Sequence, residues 1–262
     1  ERPVQFSIII PTYNYALYLP DAINSVLEQD YPGTEILVID DASTDATMDI
    51  ANSFGGRIKY HKLEKNLGAA GAWCYGLQQA RGEYLCKLDA DDQQMPGYLA
   101  AASQAFALDP AIGLVASSVM LKMNGHSMLV QKNITDRDVT LGAGEFRDRF
   151  LHEFFIRMPG VCIRKSITAG SEGPDHKLYQ IHDWEFLLRV TRGYKARLIA
   201  RPLAVYRIHD SSITRTAQSG RLFENDCVRW LDKTVEHGNS CMEERERVIL
   251  AGSLAILLMR SM

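Results

Sequence analysis

Charge of one sign is not in excess in this chain, because 29 Lys and Arg stand against 32 Asp and Glu and no run of basic residues occurs. A protein dedicated to nucleic acid usually carries a basic patch, so this balance argues against such a partner. Cysteine is also scarce: the five cysteines are widely spaced and none forms a CxxC pair. This set argues against a disulfide framework or a zinc site and fits a reducing compartment.

Long apolar runs and leader segments are missing as well. The longest apolar stretch, 248–259, contains Gly252 and Ser253 and falls short of the roughly 20 residues that span a membrane. No GxGxxG motif follows the first apolar run, which disfavours a dinucleotide-binding dehydrogenase. The chain begins at Glu1 without an initiator methionine or a signal-peptide pattern. We therefore expect a domain of a longer protein, located in the cytoplasm or peripherally at the inner face of the cell membrane.

The first hundred residues alternate between strand and helix patterns. Apolar, β-rich runs predict strands at 6–10, 35–39, 57–63 and 84–88, and helical spacing predicts helices at 21–29, 45–54 and 69–80. Continuous apolar strands separated by helices indicate an α/β fold with a mostly parallel central sheet flanked by helices. With 262 residues, 46% of them hydrophobic, the chain is long enough to bury a large core.

The second half is less regular. Asn124-Gly125 predicts a hairpin, and the later patterns predict helices at 145–155 and 183–192, a short strand at 161–164 and an extended segment at 195–206. Two helices, 222–236 and 242–260, form a C-terminal helical extension. Leu250, Leu254 and Leu258 make an apolar stripe along the second of them, which either packs on the core or docks on a partner domain or membrane surface.

These patterns predict one domain over residues 1–215 and the C-terminal helical extension over 216–262. The domain would consist of a nucleotide-binding half at about 1–110 and an acceptor half at about 111–215.

Polar clusters follow three of the predicted strands, at 11–14, 40–41 and 89–92. The carboxyl ends of parallel strands meet at one rim of the sheet, where α/β proteins bind ligands. Asp89, Asp91 and Asp92 crowd three carboxylates at this rim. Without basic partners they would repel one another, so a divalent cation shared with phosphates is the expected occupant. The alternative is an acidic, solvated turn or a helix cap.

An ordered set of motifs resembles the glycosyltransferase family 2 enzymes, which have the GT-A fold. The resemblance covers about residues 5–210 and rests on these segments: 8–14 (IIIPTYN), 38–45 (VIDDASTD), 66–68 (NLG), 80–84 (ARGEY), 88–92 (LDADD) with Pro96, 182–185 (HDWE) with Arg189, and 206–209 (YRIH). Each motif alone is weak, whereas the set in this order is specific.

The resemblance implies a nucleotide site around the first strand ends, with Asp41 accepting a hydrogen bond from a base N–H. A carboxylate acceptor and a stacking Tyr13 ring suit a uracil-type base. The alternatives are a turn or capping role for Asp41 and a loop aromatic that covers the core for Tyr13, while Asp40 is expected to bond backbone amides of its loop. The implied nucleotide-binding residues are Pro11, Thr12, Tyr13, Asp41, Asn66, Gly68, Asp89, Ala90 and Asp91.

The same resemblance implies a metal site of the DxD type. Asp89 would face the ribose hydroxyls, and Asp91 would hold Mn²⁺ or Mg²⁺ against the diphosphate. His209 would be a second ligand, which favours Mn²⁺, unless it is a solvated or capping histidine. Trp73-Cys74 stands where relatives often carry Arg-Asn. Lys65, Arg81 and Arg207 are therefore candidates for a cation at the diphosphate.

Asp183 matches the family's general base, which removes the proton of the acceptor hydroxyl. A position at a helix N-terminus would keep its carboxylate ionised, and the alternative is an N-cap without chemistry. His182 replaces an acidic neighbour in this motif. Asp92, His182 and Trp184 are candidates for acceptor contacts, with core packing as the alternative for Trp184.

The resemblance therefore implies an inverting hexosyl- or N-acetylhexosaminyltransferase. It would move a sugar from a nucleotide-diphospho-sugar, UDP-linked, to a hydroxyl of a glycan or lipid-linked acceptor. A non-catalytic carbohydrate- or nucleotide-binding module of the same fold is the alternative. A nucleotidyltransferase is disfavoured, because no Gly-rich phosphate loop follows the first strand.

Overall fold

The computed structural model describes residues 5–123, 127–131, 136–210, 222–236 and 242–261, and side chains are described except at 127–131, 235–236 and 257–261. Within these residues the strands are β1 Phe6–Thr12, β2 Thr34–Asp40, β3 Lys59–Lys62, β4 Tyr84–Lys87, β5 Gln93–Gln94, β6 Ile112–Met123, β7 Ser127–Gln131, β8 Val139–Leu141, β9 Val161–Arg164 and β10 Lys195–Ile208. The α-helices are α1 Leu19–Leu27, α2 Thr47–Ser53, α3 Gly68–Gln79, α4 Tyr98–Ala107, α5 Ala143–Glu153, α6 His182–Val190, α7 Leu222–Glu236 and α8 Glu244–Ser261.

All the described strands belong to one sheet with the order β3-β2-β1-β4-β9-β6-β10-β5, to which β7 adds beside β6 and β8 beside β10. The strands β3, β2, β1 and β4 are parallel. Strand β9 runs antiparallel to both β4 and β6, and β6 is parallel to β10. The predicted α/β architecture is confirmed, with a parallel first half and a sheet that is mixed as a whole.

Strand β1 is buried along its whole length because helices cover both faces of the sheet. Ile8 and Ile10 pack into a cluster with residues of α1 and α4. Ile9 points to the opposite face, where it shares a cluster with Trp73 of α3 and with α5 to α8. Helix α3 lies so close to β1 that a Cβ on Gly76 would come within 2.3 Å of the Ile9 side chain.

The C-terminal helices pack on the core. Trp230, Leu250 and Leu254 are buried in the same cluster as Phe146 and Phe150 of α5. The predicted packing of the apolar stripe is thus confirmed for Leu250 and Leu254, whereas the side chain of Leu258 lies outside the described residues.

The predicted hairpin is present as the antiparallel pair β6–β7, although Asn124-Gly125 also lies outside the described residues. Helix α4 was not predicted; it is an alanine-rich segment that follows the left-handed residue Gly97. In the described part of the chain, no helix has both the length and the apolar character that crossing a bilayer would take.

Candidate active site

Hydrogen bonds join the loops that follow β1 and β2 at one rim of the sheet. Asn14, at a positive φ of 56°, accepts the backbone N–H of Thr44 at 2.9 Å and donates its own N–H to Ser43 Oγ at 2.9 Å. Asp40 accepts the N–H of Ser43 at 2.8 Å and the hydroxyl of Tyr60 at 2.5 Å. The predicted structural role of Asp40 is therefore confirmed, and its loop is held rigidly.

Asp41 connects this rim to the start of α3. Its buried carboxylate accepts the N–H groups of Leu67 at 2.7 Å and Gly68 at 2.8 Å. It therefore caps α3, not the helix that follows it in sequence, and its negative charge lies at the positive end of that helix. Burial is the largest influence on the pKa of Asp41 and raises it, and the two backbone hydrogen bonds offset only part of this effect.

The other predicted nucleotide residues lie along the same rim. Asn66 accepts the N–H of Gly68 at 3.0 Å, and Gly68 has a φ of +76° that favours glycine. Pro11 and Thr12 end β1 and are buried, while Tyr13 is 44% exposed, so its ring is accessible at the rim. Base recognition by Asp41 and Tyr13 stays a prediction.

The acidic segment after β4 meets the end of β10. Asp91 Oδ2 lies 3.0 Å from His209 Nε2, although 118 positions separate the two residues. Both side chains are largely buried, with 15% and 10% of their surface exposed. The alternative of a solvated histidine is therefore not what the structure shows, and the two predicted metal ligands are in contact.

His209 is held by aromatic neighbours that the sequence interpretation missed. The Tyr18 ring stacks on the imidazole with a centroid distance of 4.6 Å, and the guanidinium of Arg207 lies 5.1 Å from the same ring. Alternate side chains of an extended strand lie on the same face, about 7 Å apart. The Tyr18 ring therefore fits between the side chains of Arg207 and His209. The Tyr15 ring meets the imidazole in an edge arrangement, with a centroid distance of 5.9 Å. These contacts join residues that are distant in sequence, so no local pattern marks them.

Asp92 holds the backbone of β10 close to His209. It is 1% exposed and accepts the backbone N–H of Arg207 at 2.8 Å, close to His209. Its other oxygen, Oδ2, has no hydrogen-bond partner among the described residues. Burial, together with the charges of Asp91 and Asp89, raises the pKa of Asp92 well above its ordinary value. Asp92 thus fixes the end of β10, and an acceptor contact by it stays a prediction.

Asp91 and His209 could supply two ligands to a divalent ion whose other ligands come from outside the protein. One carboxylate oxygen and one imidazole nitrogen lie 3.0 Å apart, and this pair of an oxygen and a nitrogen ligand suits Mn²⁺. In the described ranges, no group of three or more His, Cys, Asp or Glu side chains is clustered so that it could hold a metal ion by itself. The remaining ligands would then have to be phosphate oxygens and water, as is usual for ions bound with nucleotides.

Asp183 is the second residue of α6, and Ile181 occupies the N-cap, so Asp183 is not the capping residue. Its Oδ1 accepts the N–H of Trp184 at 2.8 Å. His182 is buried and its Nδ1 donates to the carbonyl of Tyr179 at 3.2 Å, while its Nε2 has no partner within the described residues. Burial lowers the pKa of His182, an effect that the charge of Asp183 partly opposes.

Trp184 packs against aromatic side chains of the core. Its ring stacks on Phe154 at 4.4 Å and meets the Phe223 ring at 6.4 Å in an edge arrangement. These contacts match the packing alternative for Trp184, and an acceptor role stays a prediction.

Lys87 lies between Asp89 of the acidic segment and Trp73 of α3. The sequence patterns did not identify it as a site residue, although a lysine inside an apolar strand was a signal. Its ammonium donates to Asp89 Oδ1 and lies 5.6 Å from the Trp73 ring. Burial alone would lower the pKa of Lys87, but the charges of Asp89 and Asp183 outweigh it and raise the pKa. Asp89 therefore contacts this buried cation, and the charges of Asp89 and Asp183 influence both Lys87 and His182.

Known proteins with similar sequences are glycosyltransferases. The family model described as "Glycosyl transferase family 2" matches residues 7–168. A relative from Bacillus subtilis, provisionally named the teichuronic acid biosynthesis glycosyltransferase TuaG, is 31% identical over 214 residues, which cover 79% of this chain and 81% of the relative. The chain spans 66% of an uncharacterized Rickettsia typhi glycosyltransferase at 29% identity. It spans 16% of the Staphylococcus aureus poly(ribitol-phosphate) β-N-acetylglucosaminyltransferase TarS at 39% identity.

Solved structures agree on the fold. The crystal structure of TarS residues 1–349 with UDP-GlcNAc matches with a TM-score of 0.75 and 21% identity, over 95% of this chain and 71% of that one. The mannosyltransferase PcManGT of Pyrobaculum calidifontis, in complex with GDP-Man and Mn²⁺, matches with a TM-score of 0.58 and 19% identity, over 98% and 81% of the two chains.

The fold is therefore of the GT-A type, and the family model assigns the chain to the glycosyltransferases. Within that class, the chain belongs to glycosyl transferase family 2.

Proposed function

We propose that this protein is an inverting, metal-dependent glycosyltransferase. It transfers a hexosyl or N-acetylhexosaminyl group from a UDP-linked sugar to a hydroxyl of a glycan or lipid-linked acceptor. The observation that carries the proposal is the contact of Asp91 with His209, on the same rim as the loops that follow β1 and β2. The reaction would take place in the cytoplasm or at the inner face of the cell membrane, where nucleotide sugars are available.

Asp183 acts as the general base in this proposal. It stands in the first turn of α6, at the positive end of the helix dipole. Deprotonating an acceptor hydroxyl on the side of the sugar opposite the diphosphate gives inversion at the anomeric carbon.

Asp91 and His209 would hold Mn²⁺ or Mg²⁺, with Asp92, Tyr18 and Arg207 fixing the two ligands. When bound, the ion neutralises the negative charge that grows on the diphosphate as the sugar departs. UDP is the proposed nucleotide because TarS, which shares the fold, was crystallised with UDP-GlcNAc. Asp41 keeps acceptor capacity for a base N–H, since each oxygen accepts one backbone bond and has a further lone pair.

The test of the base is Asp183→Asn, which keeps the shape of the side chain but cannot take a proton. We expect transfer to fall by roughly 10²–10⁴-fold, with UDP affinity within a factor of three of the unchanged protein. A nucleotide-release assay across UDP-, GDP- and dTDP-sugars with Mn²⁺ gives the rates and identifies the donor. Asp49→Asn, an exposed carboxylate on α2, is the matched control and should behave like the unchanged protein. Unaltered transfer by Asp183→Asn would remove the residue from this role.

Calorimetry separates the enzyme from a non-catalytic module of the same fold. We expect Mn²⁺ to strengthen UDP binding by at least tenfold, and we expect His209→Ala to remove most of that gain. If Mn²⁺ leaves UDP binding unchanged and no UDP-, GDP- or dTDP-sugar is turned over, the module is the better description.

A further inference from the structure

Lys87 is a buried ammonium with unused hydrogen-bonding capacity. Its side chain is 4% exposed, and Asp89 is its one hydrogen-bond partner among the described groups. A lysine ammonium carries three N–H bonds, so two of them have no acceptor among the side chains and backbone groups that the structure describes. Leaving such donors unsatisfied in a buried place is costly unless a ligand supplies the acceptors.

The position of Lys87 indicates which part of a ligand could do so. On one side the ammonium contacts Asp89, in the segment that carries Asp91. On the other it lies over the Trp73 ring, which contacts His182 of α6 at a centroid distance of 6.2 Å, one residue from Asp183. In an inverting transfer the sugar lies between the leaving diphosphate and the base. Under the proposed function, the space between Asp91 and Asp183 therefore belongs to the transferred sugar.

The other candidate cations are placed differently. Arg81 precedes β4, at the opposite end of the strands, and its backbone N–H and guanidinium face Glu35. Arg207 is engaged by Asp21 at 3.1 Å and by the Tyr18 ring. Trp73 is buried, with its ring centroid 4.9 Å from that of Phe186. The ammonium of Lys87 lies over the Trp73 ring.

We infer that Lys87 is a donor-sugar contact, which donates an N–H bond to a hydroxyl oxygen of the transferred hexose while Asp89 holds the ammonium in place. This inference rests on the proposed function and assigns to it a residue that selects the sugar rather than the nucleotide. A contact of this kind has a specific signature: its loss weakens binding of the nucleotide-sugar more than binding of the nucleotide.

The experiment compares Lys87→Met with the unchanged protein, using calorimetry of UDP, UDP-GlcNAc and UDP-glucose in the presence of Mn²⁺. We expect the affinity for the better-bound UDP-sugar to fall at least tenfold, while the affinity for UDP stays within threefold. Lys177→Met, an exposed lysine outside the site, is the matched control and should alter neither affinity. An equal loss for UDP and the UDP-sugar would show that Lys87 acts only through Asp89 and would overturn the inference, as would unchanged affinities.

A second comparison covers the case in which Lys87→Met fails to fold because Asp89 loses its partner. The double variant Lys87→Met/Asp89→Asn leaves no unpaired charge at the pair, and it is measured against Asp89→Asn alone. The additional loss should again be confined to the UDP-sugar, and a uniform or absent loss overturns the inference. If the unchanged protein binds neither UDP nor UDP-sugars, the proposed function itself fails. If it binds them and the selective loss is missing, only this inference fails.

Discussion

Asp40 and Asp41 show how two adjacent carboxylates acquire different tasks from their surroundings. Asp40 bonds the loop that follows it, whereas Asp41 reaches across to the backbone of Leu67 and Gly68, 26 and 27 positions away. Because Asp41 is buried and accepts one bond on each oxygen, it determines where the loop before α3 lies. This rim of the sheet therefore depends on a single side chain for the spacing of the loop after β2 and the loop before α3.

Asp41→Asn tests this dependence. An amide can accept only one of the two N–H bonds and turns a donor toward the other, so we expect the free energy of unfolding to fall by about 1–3 kcal/mol without nucleotide. Urea unfolding gives the change, and UDP calorimetry should show weaker binding as well. Asp49→Asn, exposed on α2, should stay within about 0.5 kcal/mol. Unchanged stability together with weaker UDP binding would mean that Asp41 contacts only the base.

Helices α5 and α8 are joined by two ion pairs of very different burial. Arg147 bonds Glu246 at 2.6 Å, with side chains 5% and 13% exposed. Arg245 bonds Asp148 at 2.9 Å, with side chains 75% and 36% exposed. A pair sheltered from water keeps more of its attraction than one screened by solvent, so the inner pair should hold α8 in place.

We expect Glu246→Gln to cost about 2 kcal/mol at neutral pH, between the values of exposed and fully buried pairs. Burial is the largest single influence and would raise the pKa of Glu246, but the hydrogen bonds from Arg147 and from the Glu243 N–H, together with the charge of Arg147, lower it overall. The contribution is therefore complete above the ordinary glutamate pKa of about 4.3 and disappears as the pH falls through the lowered value. Urea unfolding of both proteins across this range should show the difference shrinking toward acid pH.

Asp148→Asn is the matched control on the same two helices. Its partner is exposed, so the change should stay within about 0.5 kcal/mol at every pH. Equal effects of the two substitutions would contradict the ranking by burial.

At the scale of the molecule, the buried apolar residues that the structure describes form one hydrophobic cluster on each face of the sheet, and the C-terminal helices belong to one of them. Trp230 and Leu250 bury their side chains with residues of α5 and α6. Lys233 of α7 also bridges Asp175 at 2.9 Å and Glu185 at 3.3 Å. The C-terminal helical extension is therefore continuous with the catalytic core in packing.

We expect the 262-residue chain to unfold in one transition, because the described residues of the C-terminal helices share a hydrophobic cluster with the core. Removing residues 216–262 uncovers the apolar side chains that α7 and α8 bury, so the shortened chain should unfold at a lower temperature or aggregate. Differential scanning calorimetry of both chains provides the measurement. Two separate transitions in the complete chain, or an unchanged unfolding temperature after truncation, would contradict this expectation.

Local patterns were sufficient for the elements that position the site. The apolar runs at β1, β2 and β4 predicted a sheet buried on both faces, since a strand covered on both sides has no polar alternation. The polar residues after those strands predicted a ligand rim, because parallel strands end on the same side. Helix α4 and the short strands β5 and β8 escaped prediction, because alanine-rich or very short segments have too little periodicity to mark them.

Contacts across the sheet were beyond such patterns. That Asp91 meets His209, that Tyr18 stacks on that imidazole, and that Lys87 lies between Asp89 and the first turn of α6 follows from how β4, β10 and α6 are brought together. The amino-acid order established the class of fold and the kinds of side chain at the rim, because hydrophobic periodicity and short motifs are local properties. Folding alone selected which carboxylate faces which cation, because burial and distance arise only when segments more than a hundred residues apart pack together.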